Sequence, residues 1–326
     1  MSSITLVEAV NLALARAMEE DPRVTVLGED IGVDGGVFRA TAGLLGRFGP
    51  ERVVDTPLSE ALIAGMAIGM AAEGLRPVAE IQFAGFAYVT LDQILNHAGR
   101  LRHRTQGRLC CPMVMRMPCG AGIRAPEHHS ESPEAIFAHV PGIRLVYASS
   151  PRRAYGLLLA SIADPDPVVF LEPSRLYRLF KEEVGDDGEP LPLDTAFVLR
   201  EGTDLTLVTW GAMTHEALAA ADDLAAEDVY AEVIDVATLK PLDLDTILAS
   251  VAKTRRCVVL TEAPRSCSFA SEVSANVSEQ GLMSLLAPVE RVTAWDTVTP
   301  MARLESRYMP DRRRIVAAAH KVMQYH

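Results

Sequence analysis

Short apolar, β-branched runs alternate with helix-like stretches along almost the whole chain, which is the pattern of a parallel sheet covered by helices. In the first half the spacing predicts strands over residues 23–27, 52–55, 77–83, 113–117, 143–147 and 168–171, with helices near 60–73, 88–104, 133–139 and 151–163. Ser132-Pro133 and Ser150-Pro151 each put a capping hydroxyl before a proline at the first helical position. Thr5 and Glu8 have capping-box spacing ahead of a stripe of Val10, Leu14 and Met18. The rhythm breaks over 182–202, where residues 184–192 are rich in Gly, Pro and acid. It resumes with strands at 205–210, 230–236, 257–261 and 289–294 and a closing helix from Asp311 to about Gln324. The expected class is α/β with two domains, each a mainly parallel sheet with helices on both faces: 1–185, a linker at 186–202, and 203–326. A length of 326 residues suits two domains better than one core.

Charge and cysteine usage narrow the function. With 43 acidic against 31 basic side chains the formal charge is -12, which repels a phosphate backbone, so nucleic acid is not an expected partner. The five cysteines, Cys110, Cys111, Cys119, Cys257 and Cys267, contain no C-x-x-C pair, so neither a disulfide framework nor a zinc site is expected and a reducing cytoplasm fits. The longest apolar run, Ala61 to Ala72, is interrupted by Gly65 and Gly69. It falls short of the roughly 18 to 20 residues of a membrane span, so no crossing is expected. Neither G-x-G-x-x-G after a strand nor G-x-x-x-x-G-K-[ST] occurs, which removes support for a nicotinamide enzyme or a phosphate-loop ATPase.

Two stretches carry candidate chemistry. In residues 55–74 a strand ends, the chain turns at Pro57, and a helix follows that is apolar nearly all round and should therefore be buried. Glu60 stands at its mouth. By itself it reads as an acid stabilised by the helix dipole, with Gly65 and Gly69 permitting close packing and Gly74 as the C-terminal cap. Residues 120–133 form a loop between a strand and a capped helix, and such loops bind ligands in α/β sheets. Adjacent His128 and His129, with Glu127 and Glu131, lack a recognised metal-ligand spacing, so a catalytic or solvated histidine is the better reading. The basic cluster Arg100, Arg102, His103, Arg104 and Arg108 reads as a solvated helix end or a protein interface.

The runs DTPLSE at 55–60 and HHSESPE at 128–134 resemble the beta chains of the thiamine-diphosphate-dependent 2-oxo acid dehydrogenases. The resemblance extends through EIQFAGF at 80–86, FAHVPG at 137–142, DPVVFLE at 166–172, WGAMTHE at 210–216 and DVATLKPL at 235–242. RHRTQGR at 102–108 and LYRLFKEE at 176–183 draw it toward bacterial pyruvate dehydrogenases, with branched-chain 2-oxo acid and acetoin dehydrogenases as the alternatives.

The resemblance implies a pyrimidine-binding domain followed by a transketolase C-terminal type domain. It also implies oxidative decarboxylation of a 2-oxo acid, with the acyl group passed to lipoyl. Glu60 matches the glutamate that shares a proton with the aminopyrimidine N1′, and Glu29, Leu58, Gln82 and Phe86 match other cofactor neighbours. His129 matches a histidine that assists lipoyl acylation by proton transfer; Glu131 stands where many relatives have Gln, which tunes His129 differently. A structural potassium ion is implied at Ile162, Asp164 and Asp166, with Asp166 in place of a common Asn. The family's G-D-G motif for diphosphate and Mg2+ is absent, since Gly185 to Gly188 does not fit it. An alpha subunit is therefore expected to hold the Mg2+ and complete an α2β2 tetramer, with a lipoyl acyltransferase core as a further partner.

Overall fold

The computed structural model describes residues 2–325. Residues up to Cys119 form one compact unit with Ile136–Leu193, and Gly120–Ala135 form the other with the residues from Asp194 onward. Both units are α/β.

In the first unit six parallel strands lie in the order Arg144–Tyr147, Val168–Pro173, Val114–Cys119, Arg76–Glu80, Val24–Gly28, Val53–Asp55. Val24–Gly28, Val114–Cys119 and Val168–Pro173 are buried at every position, as strands covered on both faces must be. The helix Leu6–Glu20 starts as its spacing predicts, with the Glu8 carboxylate accepting the Thr5 amide at 2.7 Å. It packs on the helix Pro151–Ala163, whose cap Ser150 accepts the Arg153 amide at 3.4 Å.

Three expectations change. The continuous helix expected over 88–104 is broken into Leu91–Asn96, a 3-10 turn Ala98–Arg100 and Leu101–Arg104. The break lies where two glycine backbones touch. A Cβ at Gly99 would meet the Pro141 carbonyl at 2.6 Å, and one at Gly142, with φ of 81°, would run into the Gly99 carbonyl. The stretch 186–202, expected as an irregular linker, contains the strand Phe197–Arg200, and Glu182–Val184 pairs antiparallel with Ser2–Ile4. Both are short and without full burial, so they lack the apolar run that marks a central strand. Residues 120–135, counted with the first domain from sequence, group with the second unit.

The second unit's sheet runs Glu290–Ala294, Cys257–Pro264, Leu205–Thr209, Ala231–Asp235, Phe197–Arg200. It is parallel except for Phe197–Arg200 at the edge, which pairs antiparallel with Ala231–Asp235. Ala217, Ala220, Ala221 and Leu224 of the helix Met213–Ala225 and Ile315, Ala319 and Val322 of the helix Arg312–Met323 share its core with Leu205, Leu207 and Val258. The small alanines let those helices lie close to the strands.

A buried ion network crosses the middle of the first unit's sheet. Arg116, 1% exposed, donates from Nε and Nη2 to the two Glu172 carboxylate oxygens at 2.6 and 2.7 Å and from Nη1 to Glu80 on the other side. The Tyr177 hydroxyl donates to Glu172 at 2.5 Å. Burial pushes the Glu80 carboxyl above the usual carboxylate range even with Arg116 beside it. Replacing Arg116 by Met strips the counter-charge from two buried carboxyl groups, so urea unfolding of Arg116→Met is expected to show a loss of about 3–5 kcal/mol. Wild-type stability in that variant would mean that the network is dispensable.

Candidate active site

Val24–Gly28 lies between Val53–Asp55 and Arg76–Glu80, so the chain leaves this strand to one side and comes back on the other. Open parallel sheets bind ligands beyond the carboxyl ends of their strands at such a reversal. Glu29 follows the reversal strand directly. Leu58 and Glu60 follow Val53–Asp55, while Gln82 and Phe86 follow Arg76–Glu80. The five cofactor-contact residues expected from sequence thus issue from three adjacent strand ends.

Backbone contacts fix this cluster. The Thr56 amide donates to the Gly28 carbonyl at 3.0 Å, and the Asp55 carboxylate accepts the Gly32 amide at 2.6 Å. The chain is extended at Ser59, with φ of -163°, and turns helical at Glu60, the half-buried first residue of the helix Glu60–Ala72. Glu29 is 5% exposed and accepts the Ser59 amide, so a buried carboxylate sits against the start of that helix. Burial first, and then the charges of Glu60 and Asp30, push the Glu29 carboxyl above its ordinary value.

Two buried polar atoms here, Glu29 Oε1 and Thr56 Oγ1, have no hydrogen-bond partner among the described residues. Such atoms are rare in a finished interior. Together with a carboxyl at a helix mouth and a partly exposed Phe86 ring, they fit a flat nitrogen heterocycle able to supply donors. Phe86 stands edge-on to Phe83 at 6.0 Å, and the Gln82 amide donates to Asp30 at 3.2 Å. Leu58 is 82% exposed. Asp55 and Thr56 stand in the DTPLSE run that carries the resemblance, but the sequence alone assigned neither a place in the site.

The helix Glu60–Ala72 is not buried all round as its composition suggests. Only Ile63, Ala64, Ala67 and Ala71 are buried; Leu62 is exposed, and a Cβ at Gly69 would meet nothing within 4 Å. The first unit covers one face of an apolar helix and leaves the other open.

His129 belongs to the second unit, in a 3-10 turn Glu127–His129 with its ring 4.3 Å from that of His128. Burial, then the neighbouring His128, holds it below the ordinary histidine value, which favours a neutral imidazole near pH 7. His128 and Glu127 are among the charges that act on it, and the charge of Glu131 acts on Tyr308.

The turn read as a potassium site is already furnished with cations. Arg76 Nη1 donates to the Ile162 carbonyl at 2.7 Å and the Asp164 carbonyl at 3.2 Å. Arg144 lies 2.9 Å from the Asp164 carboxylate, and Arg102 donates to Asp166 at 2.7 Å. Three guanidinium groups satisfy the oxygens that hard-ion binding would require, so Ile162, Asp164 and Asp166 do not fit an ion as a set. Among the described residues no group of three or more His, Cys, Asp or Glu could hold a metal. Asp186, in the run that fails the G-D-G pattern, is bound to Arg16 at 3.0 Å.

Comparison with known proteins shows the family. Residues 2–179 match the family model described as transketolase, pyrimidine binding domain, and residues 194–315 the one described as transketolase, C-terminal domain. The chain is 46% identical over 325 residues to the pyruvate dehydrogenase E1 component subunit beta of Bacillus subtilis, covering 100% of both chains. It is 46% identical to the protein of the same name from Acholeplasma laidlawii, covering 99% of this chain and 98% of that one. A solved structure titled as a split gene transketolase, inactive beta4 tetramer, matches with a TM-score of 0.81 at 24% identity over 99% of each chain, a likeness of fold. No helix is long and apolar enough to cross a membrane among the described residues. From its two domains and its full-length similarity, the chain belongs to the thiamine-diphosphate-dependent, transketolase-like family that includes the beta subunits of pyruvate dehydrogenase E1 components.

Proposed function

We propose that this chain is the beta subunit of a cytoplasmic pyruvate dehydrogenase, decarboxylating pyruvate and passing the acetyl group to lipoyl together with an alpha subunit. The observation that carries the reading is the buried Glu29 beside Glu60 at a helix mouth, with an oxygen left unsatisfied. Thiamine diphosphate, when bound, supplies the electron sink for loss of carbon dioxide. This chain's part is to hold the aminopyrimidine: Glu60 shares the proton at N1′, Phe86 packs on the ring, and Leu58 and Gln82 bound it. Glu29 lies buried against the start of the same helix, its own carboxyl pushed up by burial and by the charge of Glu60. His129 carries the proton for lipoyl acylation as a neutral imidazole.

The alpha subunit would hold the Mg2+ and the diphosphate. The open face of the helix Glu60–Ala72 supports a partner in an α2β2 assembly, to which a lipoyl acyltransferase core would dock. The five free thiols suit a reducing compartment.

With the alpha subunit present, Glu60→Gln is expected to lower turnover of pyruvate at least about a hundredfold while the assembly elutes unchanged on size exclusion. Near-normal turnover removes Glu60 from the mechanism. Equal rates with pyruvate, 3-methyl-2-oxobutanoate and acetoin would remove the substrate assignment.

Glu29 gives a pH test. Its folded pKa lies above the unfolded one, so the carboxyl's favourable contribution is complete below the ordinary carboxylate range and is lost as pH rises through the raised value. Without cofactor, Glu29→Gln is therefore expected to melt a few degrees above wild type at pH 8 and level with it near pH 4. An advantage that does not grow with pH would refute the burial argument. For the turn at 162–166, exchanging potassium for choline at fixed ionic strength is expected to leave the melting temperature unchanged. A potassium-specific rise would restore the ion.

A further inference from the structure

The loop Gly120–Ala135 is clasped at both ends by buried carboxylates of the second unit. At its far end Glu134, fully buried, accepts the Thr261 hydroxyl at 2.8 Å and the Trp210 ring N–H at 3.4 Å. Burial pushes that carboxyl above its ordinary value. At its near end Glu305, 5% exposed, accepts the Gly122 amide at 2.9 Å and the Arg124 amide at 3.2 Å from each oxygen. Gly122 and Arg124 both have left-handed backbones, with φ of 103° and 60°, and so turn their amides toward one point. Such a concavity of N–H groups binds an anion, and here the chain supplies it from a residue far away in sequence.

The rest of the loop hangs from these two points. The Gly120 amide donates to the Glu131 carbonyl at 2.8 Å, closing the loop on itself, and Ala121 is buried with Ala294, Tyr308 and Met309. His129 lies between the clasps. Its turn is held by the His129 amide on the Pro126 carbonyl at 3.0 Å and the Ser130 amide on the Glu127 carbonyl at 2.9 Å. These local bonds set the turn's shape. Arg124 in a left-handed conformation is strained for a non-glycine residue, and the carboxylate is what offsets that strain.

We infer that Glu305 is a positioning residue for His129, its carboxylate fixing the backbone of residues 122–124 and with it the imidazole used in lipoyl acylation. The inference rests on the role proposed above for His129. It predicts a step-specific defect: Glu305 touches neither the pyrimidine pocket residues nor the ring of His129, so decarboxylation is independent of it and acyl transfer is not.

The test uses the full assembly with the alpha subunit. Pyruvate oxidation is followed with a small artificial electron acceptor, and acetylation is followed on an isolated lipoyl domain. Glu305→Ala is expected to slow lipoyl acetylation by about ten- to a hundredfold, the scale of an ångström-sized misplacement, and to leave the artificial-acceptor rate unchanged. The acid limb of the acetylation pH profile is expected to move up toward the ordinary histidine value as the loosened loop rehydrates His129. Glu305→Gln keeps one carbonyl acceptor for the two amides and is expected to recover most of the rate. It also serves as the test protein if Glu305→Ala does not fold.

Equal falls in both rates, or no fall in either, would overturn the positioning role. His129→Ala is run beside it. If that variant acetylates lipoyl normally, the reading of His129 fails, and amide hydrogen exchange at residues 122 and 124 in the Glu305 variants then decides the clasp alone: faster exchange upholds it, wild-type protection overturns it.

Discussion

Arg116 lies within the middle one of three neighbouring strands, and its guanidinium holds a carboxylate on either side of it. A charged trio in the middle of a sheet is a poor source of stability, since removing the ions from water offsets most of what their attraction returns. What it supplies is alignment. Glu80 immediately precedes Ile81 and Gln82, and Tyr177, which donates to Glu172, lies against the Phe38 ring, which in turn meets Phe83. The planar fork permits one separation and one register of these strands, and the loops that carry Gln82 and Phe86 leave from that fixed edge.

Much of this architecture was readable from pattern. Fully buried strands give unbroken apolar runs, capped helices give Thr5 with Glu8 and Ser150 with Pro151, and those elements are where spacing puts them. The failures share a cause: they depend on contacts between residues far apart in the chain. The break near Gly99 needs Gly142, the strand Glu182–Val184 needs Ser2–Ile4, and the grouping of residues 120–135 needs Glu305 and Thr261. The candidate site divides in the same way. Glu60 is conspicuous because a lone acid precedes an apolar helix, and Phe86 because of its run, but the unsatisfied oxygens of Glu29 and Thr56 exist only once the fold has closed around them. Arg76 is the reverse case: its sequence position gives no hint that it occupies the carbonyls of Ile162 and Asp164.

The two candidate sites share one physical feature. In the first unit Glu29 Oε1 and Thr56 Oγ1 are buried without a hydrogen-bond partner among the described residues, and burial pushes the Glu29 carboxyl up. In the second unit the loop that carries His129 is bonded through Gly122 and Arg124 to the Glu305 carboxylate, and Glu134 Oε1 accepts from both Thr261 and Trp210. Glu134 Oε2 nonetheless has no hydrogen-bond partner among the described residues. Buried polar atoms of this kind are uncommon in a finished interior, and each unit keeps them beside its candidate site.

The open side of the helix Glu60–Ala72 has a consequence for the cell that makes this chain. Leu62 and Gly69 face outward on a helix with almost no polar residues, a surface that adheres to any similar surface it meets. Copies of the chain with this side uncovered would stick to one another or be held by chaperones. The fold thus leaves part of its apolar burial to be completed by contact with another surface.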